Sequence, residues 1–492
     1  MQSERHPIDP LMFQLSCALV REGLAFIERL QEKNYSIEPY KNWPGITWSE
    51  GMPEFTFGTS EPPTDYKDAF SSLRTLFLIG AERRQDRLFE FEKFKEFRDL
   101  RAHLRSNEFP KHVFPPEFPE GLVDSAVKTF IETALDRFIH LAKTISFDED
   151  RFLPVYLPLE AGFLWADLPI EIHVPILRLT TAPDVVDFEG GIAVTRMSEE
   201  IQLARAYRDH NTHDVNEYLL HQASHALVLK DHSLPNGDYR QRYWGYTLSA
   251  ESVEIVDAFF ACLRVVTGLE TGYAQILFVP LGWAHDYQGD LASLQGLTVC
   301  KYPPSVNPVS TFYGEEIPWV PDDQVNAVRE LLNHVLAATN RDGGKRLKLA
   351  IKRLNSCYMR EDPDDAILDA TIGLELLTSD GDSQEVTHKL ALRLAALSTL
   401  VPECEATPAE VFRDVKKRIY PYRSAVVHGD DRRISKLARA SDDGPKTALR
   451  LAIQYLGMAV RAIAQHPDFL TPSLIDERLL LKPSASQAAL SD

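Results

Sequence analysis

Arg423 and His428 stand five residues apart in the stretch YPYRSAVVHGDDRR, residues 420–433. The two side chains complement each other on a phosphodiester. An imidazole titrates near neutral pH and can take up or release a proton, whereas a guanidinium keeps its charge and offers a planar fork of donors to phosphate oxygens. Cutting RNA without a metal needs a base for the 2′-hydroxyl, positive charge facing the phosphorus, and an acid for the leaving oxygen. Histidine and arginine supply all three.

Spacing alone does not select this pair. With 34 arginines and 15 histidines in 492 residues, about one Arg-x4-His match is expected by chance, and the chain carries six: Arg98/His103, Arg205/His210, Arg208/His213, Arg329/His334, Arg423/His428 and Arg461/His466. Five lie in amphipathic helical or polar runs with no glycine following. The pair at 423 and 428 instead encloses Ala425, Val426 and Val427, an apolar insert expected to pack, and Gly429 follows where a helix would end. Helical positions five apart are turned by about 140° and separated by about 7.5 Å along the axis, so one helix makes half a site. Two such helices packed about a two-fold axis would bring the arginine of one chain to the histidine of the other, twice. A homodimer is therefore expected.

The elements that must position these residues read as helices only from Asp322 onward: PDDQVNAVRELLNHVLAATN, KRLKLAIKRLNSCYMR, DPDDAILDATIGLELLTS, SQEVTHKLALRLAALSTL, TPAEVFRDVKKRIYPYRSAVVHG and GPKTALRLAIQYLGMAVRAIAQH. Asp362 with Pro363, Ser383, and Thr407 with Glu410 supply start signals. In order and spacing, YRSAVVHG with EDPDDAILDATIGLELL and EVTHKLALRLAAL resembles the HEPN superfamily, specifically its ApeA-like branch, over roughly residues 322–470. GGIAVTRMSEEIQLA and VEIVDAFFACLRVV resemble segments found upstream of this domain in related proteins. The resemblance implies a helical dimer; many such domains are metal-independent ribonucleases with Arg and His meeting at the dimer interface, and several act in toxin or antiphage systems. It implies Arg423 and His428 as catalytic residues, Glu375 as the acidic residue of an earlier helix, and Tyr422 and Ser424 as supporting neighbours. Ser424 departs from the Asn, Asp or His that active members often carry after the arginine.

Glu375 falls on the apolar stripe of its helix, where a carboxylate needs a cation. Arg423 and Arg393 are the candidates, and the pair either orients Arg423 or only fixes helix packing. Lys389 and Arg393 share a helix face that could meet an RNA backbone, and Glu385 to Lys389 is the competing intrahelical pair. Residues 411–440 hold nine basic side chains against three acidic ones. Lys416, Lys417, Arg432 and Arg433 are the RNA-binding candidates there, with a solvated helix face as the plainer reading. The net charge of −19 disfavours indiscriminate binding to nucleic acid, so any such surface must be local.

The fold class expected is α+β, with residues 1–318 as a mixed sensor or regulatory region, 319–480 as the helical domain, and 481–492 as a disordered tail. The first region divides near 150–190. Within it MFQLSCALVREGLAFIERLQ and RQDRLFEFEKFKEFRDLRAHL read as helices, WPGITWSEGMPEFTFGTSEPPTDY as short strands and turns, and residues 152–198 as several strands broken by Pro, Gly and Asp. Helical patterns return at 199–230 and 249–266, and YAQILFVPL reads as a last strand. Five scattered cysteines with no Cys-x-x-Cys pair suit a reducing cytoplasm, and neither a signal segment nor a run of about 18 apolar residues is visible.

His210, His213, His221, His225 and His232 crowd one stretch, and His221 and His225 have a zinc-compatible spacing on an expected helix. Gln222 stands where the zincin pattern needs glutamate, so no metal and no cofactor are expected. Gly190 and Gly191 suit a turn between strands. Three functions follow: an endoribonuclease restrained by its N-terminal region until a phage-derived or cellular trigger arrives, a non-catalytic dimeric scaffold for RNA or a nucleotide, and, third, a metallohydrolase at His221 and His225.

Overall fold

The computed structural model describes residues 6–59, 61–70, 88–106, 109–212, 215–237, 247–306, 317–380, 386–439 and 448–481. The chain is α+β, with sheets confined to the first two-thirds and helices alone carrying the C-terminal third. It separates into two compact units: residues 1–175, 191–247 and 275–299, and residues 176–190, 248–274 and 300–492. The division is discontinuous, whereas the sequence places its main boundary near 318 and a further split near 150–190. Residues 248–274 group with the C-terminal helices because they bury an apolar helix against them.

The first unit opens with α1 (Pro10–Glu32), capped by Asp9, whose side chain accepts from the Met12 N–H at 2.9 Å. Pro10 occupies the first turn, where no backbone donor is needed. The fully buried Glu160 carboxylate receives the N–H groups of Ile8 and Asp9 at 2.9 and 2.8 Å, anchoring that helix end. Among the described residues α1 is the one helix long and apolar enough to cross a membrane by length and composition. Its apolar face, with Leu19, Val20 and Ile27 wholly enclosed, lies instead in a phenylalanine-rich core shared with α2 (Glu120–Ala142) and α3 (Glu149–Leu164).

Helix α3 corrects the expectation of strands from residue 152. Pro154 and Pro158 lie inside it, four apart and therefore on one face, so the missing donors fall on a single side. The Pro158 carbonyl accepts from the Ala284 N–H at 2.8 Å. Gly162 lets that chain approach, since a Cβ there would sit 2.2 Å from the Ala284 carbonyl oxygen.

Strands β1 (Pro44–Ser49) and β2 (Met52–Phe57) form a hairpin, as the turn-rich composition suggests. A larger sheet contains β3 (Asp167–Pro175), β4 (Ile192–Arg196), β5 (His225–Pro235), β6 (Tyr273–Pro280) and β7 (Gln295–Lys301) in the order β4-β5-β3-β6-β7. Gly190 and Gly191 make the turn into β4, both with positive φ. The helical reading of 199–230 holds only for α4 (Glu199–Thr212) and the short turn Glu217–Leu220. Beyond it, HALVLKDHSLP is strand β5, buried over its first five residues in the sheet interior.

The second unit contains α5 (Ala250–Thr267) and a helical array: α6 (Asp322–Thr339), α7 (Gly344–Met359), α8 (Pro363–Thr378), α9 (Val386–Ser398), α10 (Pro408–Asp414), α11 (Tyr420–His428), α12 (Asp431–Arg439) and α13 (Ala448–Gln465). Asp362 caps α8 with Pro363 in its first turn, and Thr407 with Glu410 makes both bonds of a capping box. Ser383 and the tail beyond Leu481 lie outside the described residues. Helix α13 is the core rod of this array, with Ala452, Leu456, Ala459, Ala462 and Ile463 all fully enclosed. Gly373 of α8 meets it closely, a Cβ there falling 2.7 Å from the Leu456 side chain.

Candidate active site

One continuous helical rod, α10 through α11, carries the arginine and the histidine, and it changes pitch in the middle. Residues Val415–Ile419 form a π-helical turn in which the Tyr420 N–H donates to Val415, five residues back. Pro421 follows immediately and has no N–H to give, so the wider turn accommodates it without ending the rod. The turn sets which side chains face inward. Val415, Ile419, Tyr420, Tyr422 and Ala425 are buried, Arg423 and Ser424 are half-buried, and Val427 and His428 are exposed.

Arg423 is held by two groups. Its Nη2 lies 3.6 Å from Glu375 Oε1 on α8, and its guanidinium carbon sits 5.9 Å from the centroid of the Tyr420 ring. The Tyr420 hydroxyl donates to the same Glu375 oxygen at 2.8 Å. Burial and then the Glu375 charge push the Tyr420 hydroxyl well above its ordinary pKa, so it stays a donor. Arg423 Nε is buried and makes no hydrogen bond among the described residues, so only the Nη groups can face a ligand.

Tyr422, expected beside the arginine as support, points the other way. It is 5% exposed and its hydroxyl donates to Asp364 Oδ1 at 2.8 Å, strapping α11 to the first turn of α8. Tyr420 holds the place that sequence reasoning gave to Tyr422. The available signal is its i, i+3 spacing to Arg423, which puts both on one helix face.

His428 ends the rod. The Asp430 N–H donates to the Ala425 carbonyl at 3.0 Å and the Gly429 N–H to Val426 at 3.1 Å, with Gly429 at φ 65°, the double closure that favours glycine. The imidazole makes no hydrogen bond or ion pair among the described residues. The apolar insert before it is not packed as expected, because Val427 is 54% exposed and Ala425 alone is fully buried. Asp430 opens α12, its carboxylate accepting from the Arg433 N–H at 3.1 Å.

Lys416, Lys417, Arg432 and Arg433 are all exposed. Lys416 leans over the Phe412 ring and approaches His388 Nδ1 at 3.2 Å. Arg393 is a correction: its side chain is fully buried, with Nε and Nη2 on the Asp476 carboxylate at 2.8 and 2.6 Å, Nη2 on Asp380 at 3.0 Å and Nη1 on the Thr378 carbonyl at 2.5 Å. It faces no solvent, so it cannot contact RNA, and it does not pair with Glu375. Lys389 is partly neutralised by Asp380 at 3.0 Å, an acid that Lys389 and Arg393 hold below the usual carboxylate range. Glu385, its expected intrahelical partner, lies outside the described residues.

The histidine-rich stretch does not converge. His221 ends a one-turn helix and accepts from the Phe55 N–H at 3.2 Å, whereas His225 begins β5. The helical spacing that would aim both at one ion is absent. His210 stacks on Phe57 at 4.0 Å, and His213 lies outside the described residues. Among the described residues no three His, Cys, Asp or Glu side chains are placed to share a metal.

No family model, curated protein or solved structure matches this chain.

Proposed function

We propose that the chain is a metal-independent endoribonuclease of the HEPN type, acting in the cytoplasm as a homodimer whose two active sites are each built from both subunits. The observation that carries this reading is the solvent access of His428 combined with the tethered, half-buried Arg423. One group is free to move a proton and the other is pre-aimed with donors to spare. In the proposed reaction His428 withdraws the 2′-hydroxyl proton, and the oxygen attacks phosphorus. Arg423 bears the charge on the non-bridging oxygens, and the leaving 5′-oxygen takes the proton from the His428 imidazolium. Packing of this rod end against a second copy would cover the exposed Val427 beside His428. Lys416, Lys417, Arg432 and Arg433 would track the RNA backbone. The N-terminal region belongs to the same reading as a sensor that holds cleavage to a low basal rate until a phage-derived or cellular trigger raises it, since unrestrained RNA cleavage is toxic.

The intact chain, purified and incubated with RNA in excess chelator, tests it. Cleavage is expected, and Arg423→Ala and His428→Ala should each remove it by about 100-fold or more with unchanged helical content. Mixing the two inactive variants should restore roughly a quarter of wild-type cleavage, because half of the dimers then carry one intact composite site. Cleavage that persists in both variants rejects the reading. Binding without any product in the wild type leaves the dimeric RNA-binding scaffold instead, which the exposed basic residues also fit.

A further inference from the structure

The second unit contains an open cleft of about 560 Å³ that neither Arg423 nor His428 touches. It lies along the joint between α5 and α7, with Lys301, Lys352 and Arg360 around it, Asp257 on one wall, and Val253 and Met359 supplying apolar surface. The volume is that of a site for a small organic ligand, several times what a bare phosphate needs. In a chain of net charge −19, three cations against one carboxylate, Asp257, give this lining a local excess of positive charge.

These cations are incompletely neutralised. The Lys352 ammonium makes no hydrogen bond or ion pair among the described residues. Lys301 Nζ stays 3.8 Å from the Asp257 carboxylate, and the Lys301 side chain is 46% exposed. Arg360 spends its Nε on Asp369 at 2.8 Å and lies 3.8 Å from Asp365, with Nη2 uncommitted. The wall between them is fixed. Asn355 donates to the Asp257 carbonyl at 2.8 Å and accepts from Arg264 at 2.5 Å, locking α7 to α5. The Asp257 side chain is 14% exposed and stands beside Lys301, an acceptor within reach of a ligand that the cations hold.

We propose that this cleft binds a small nucleoside phosphate, with the phosphates against Lys301, Lys352 and Arg360, a sugar hydroxyl or base amine donating to Asp257, and the flat base over Val253 and Met359. The carboxylate and the apolar surface are what call for more than an inorganic anion: phosphate alone would leave both unused. The claim stands whether or not the chain cuts RNA.

Titration calorimetry on the intact chain with ADP, GDP, CDP, UDP and inorganic phosphate tests it. At least one nucleoside diphosphate should bind about tenfold or more tightly than inorganic phosphate. Lys301→Ala and Lys352→Ala should each weaken that binding by about tenfold at unchanged melting temperature. The proposal fails if none of the four exceeds inorganic phosphate, or if binding survives in the double lysine variant. It also fails if a single-stranded RNA oligomer displaces the nucleotide and depends on the same two lysines, which would make the cleft part of an RNA track.

Discussion

Arg423 and Arg393 look alike in the sequence and occupy opposite situations in the fold. Arg393 is enclosed and shared between Asp380 and Asp476. Arg393→Ala strands two carboxylates beside a buried void and is expected to cost about 3–5 kcal/mol in denaturant unfolding. Arg423→Ala should cost far less, because its pair is partly solvated and long. Tyr420→Phe separates tethering from binding: loss of its bond to Glu375 should lower kcat for RNA by about tenfold with KM little changed, as measured by initial-rate kinetics. A fall in KM affinity alone would deny Tyr420 that role. Spacing and resemblance were enough to put Arg423 among the two candidate partners of Glu375. They could not reveal Tyr420, because the π turn at Val415–Ile419 decides where its ring points, nor the burial of Arg393, whose partner Asp476 lies 83 residues away.

Helix ends were the most legible elements, since Asp362, Thr407 with Glu410, and Gly429 each act through atoms a few residues distant. Helix α3 was not legible. Two prolines argue against a helix locally, and only the phenylalanine core and the Ala284 contact outweigh them. Gly162→Ala is therefore expected to destabilise by about 2–3 kcal/mol despite alanine's better helix propensity, as read from the denaturation midpoint. Helix α2 carries a different liability. Burial raises the Glu132 carboxyl from 4.5 to about 7, opposed by Lys67 and Lys128. Between those pH values the folded chain keeps a proton that the unfolded chain has released, so stability is full below about 4.5 and declines as pH rises towards 7, by roughly 3 kcal/mol. Glu132→Gln should flatten that decline, with a higher melting temperature than wild type at pH 8 and little difference at pH 4.5.

For the whole molecule, a net charge of −19 coexists with the exposed cations Lys416, Lys417, Arg432 and Arg433. RNA association should weaken steeply with salt, and replacing those four by alanine should lower the slope of log K against log salt by roughly 2–3. An unchanged slope would remove them from the RNA surface. The segregation of strand patterns before about residue 318 from the helices after it made the α+β class readable, but the assignment of residues 248–274 to the second unit was not, because it depends on which distant helices receive the apolar face of α5. Val256, Phe259, Phe260 and Leu263 of that helix are buried within its unit, as are Leu331, Leu332, Leu347 and Ile351 of α6 and α7. A fragment starting at Asp322 would thus expose a seam of side chains to water, and should be recovered as aggregate or as a loosened globule. Protease nicking near residue 318 would therefore not release a self-sufficient helical domain, because the cut leaves α5 on the other fragment.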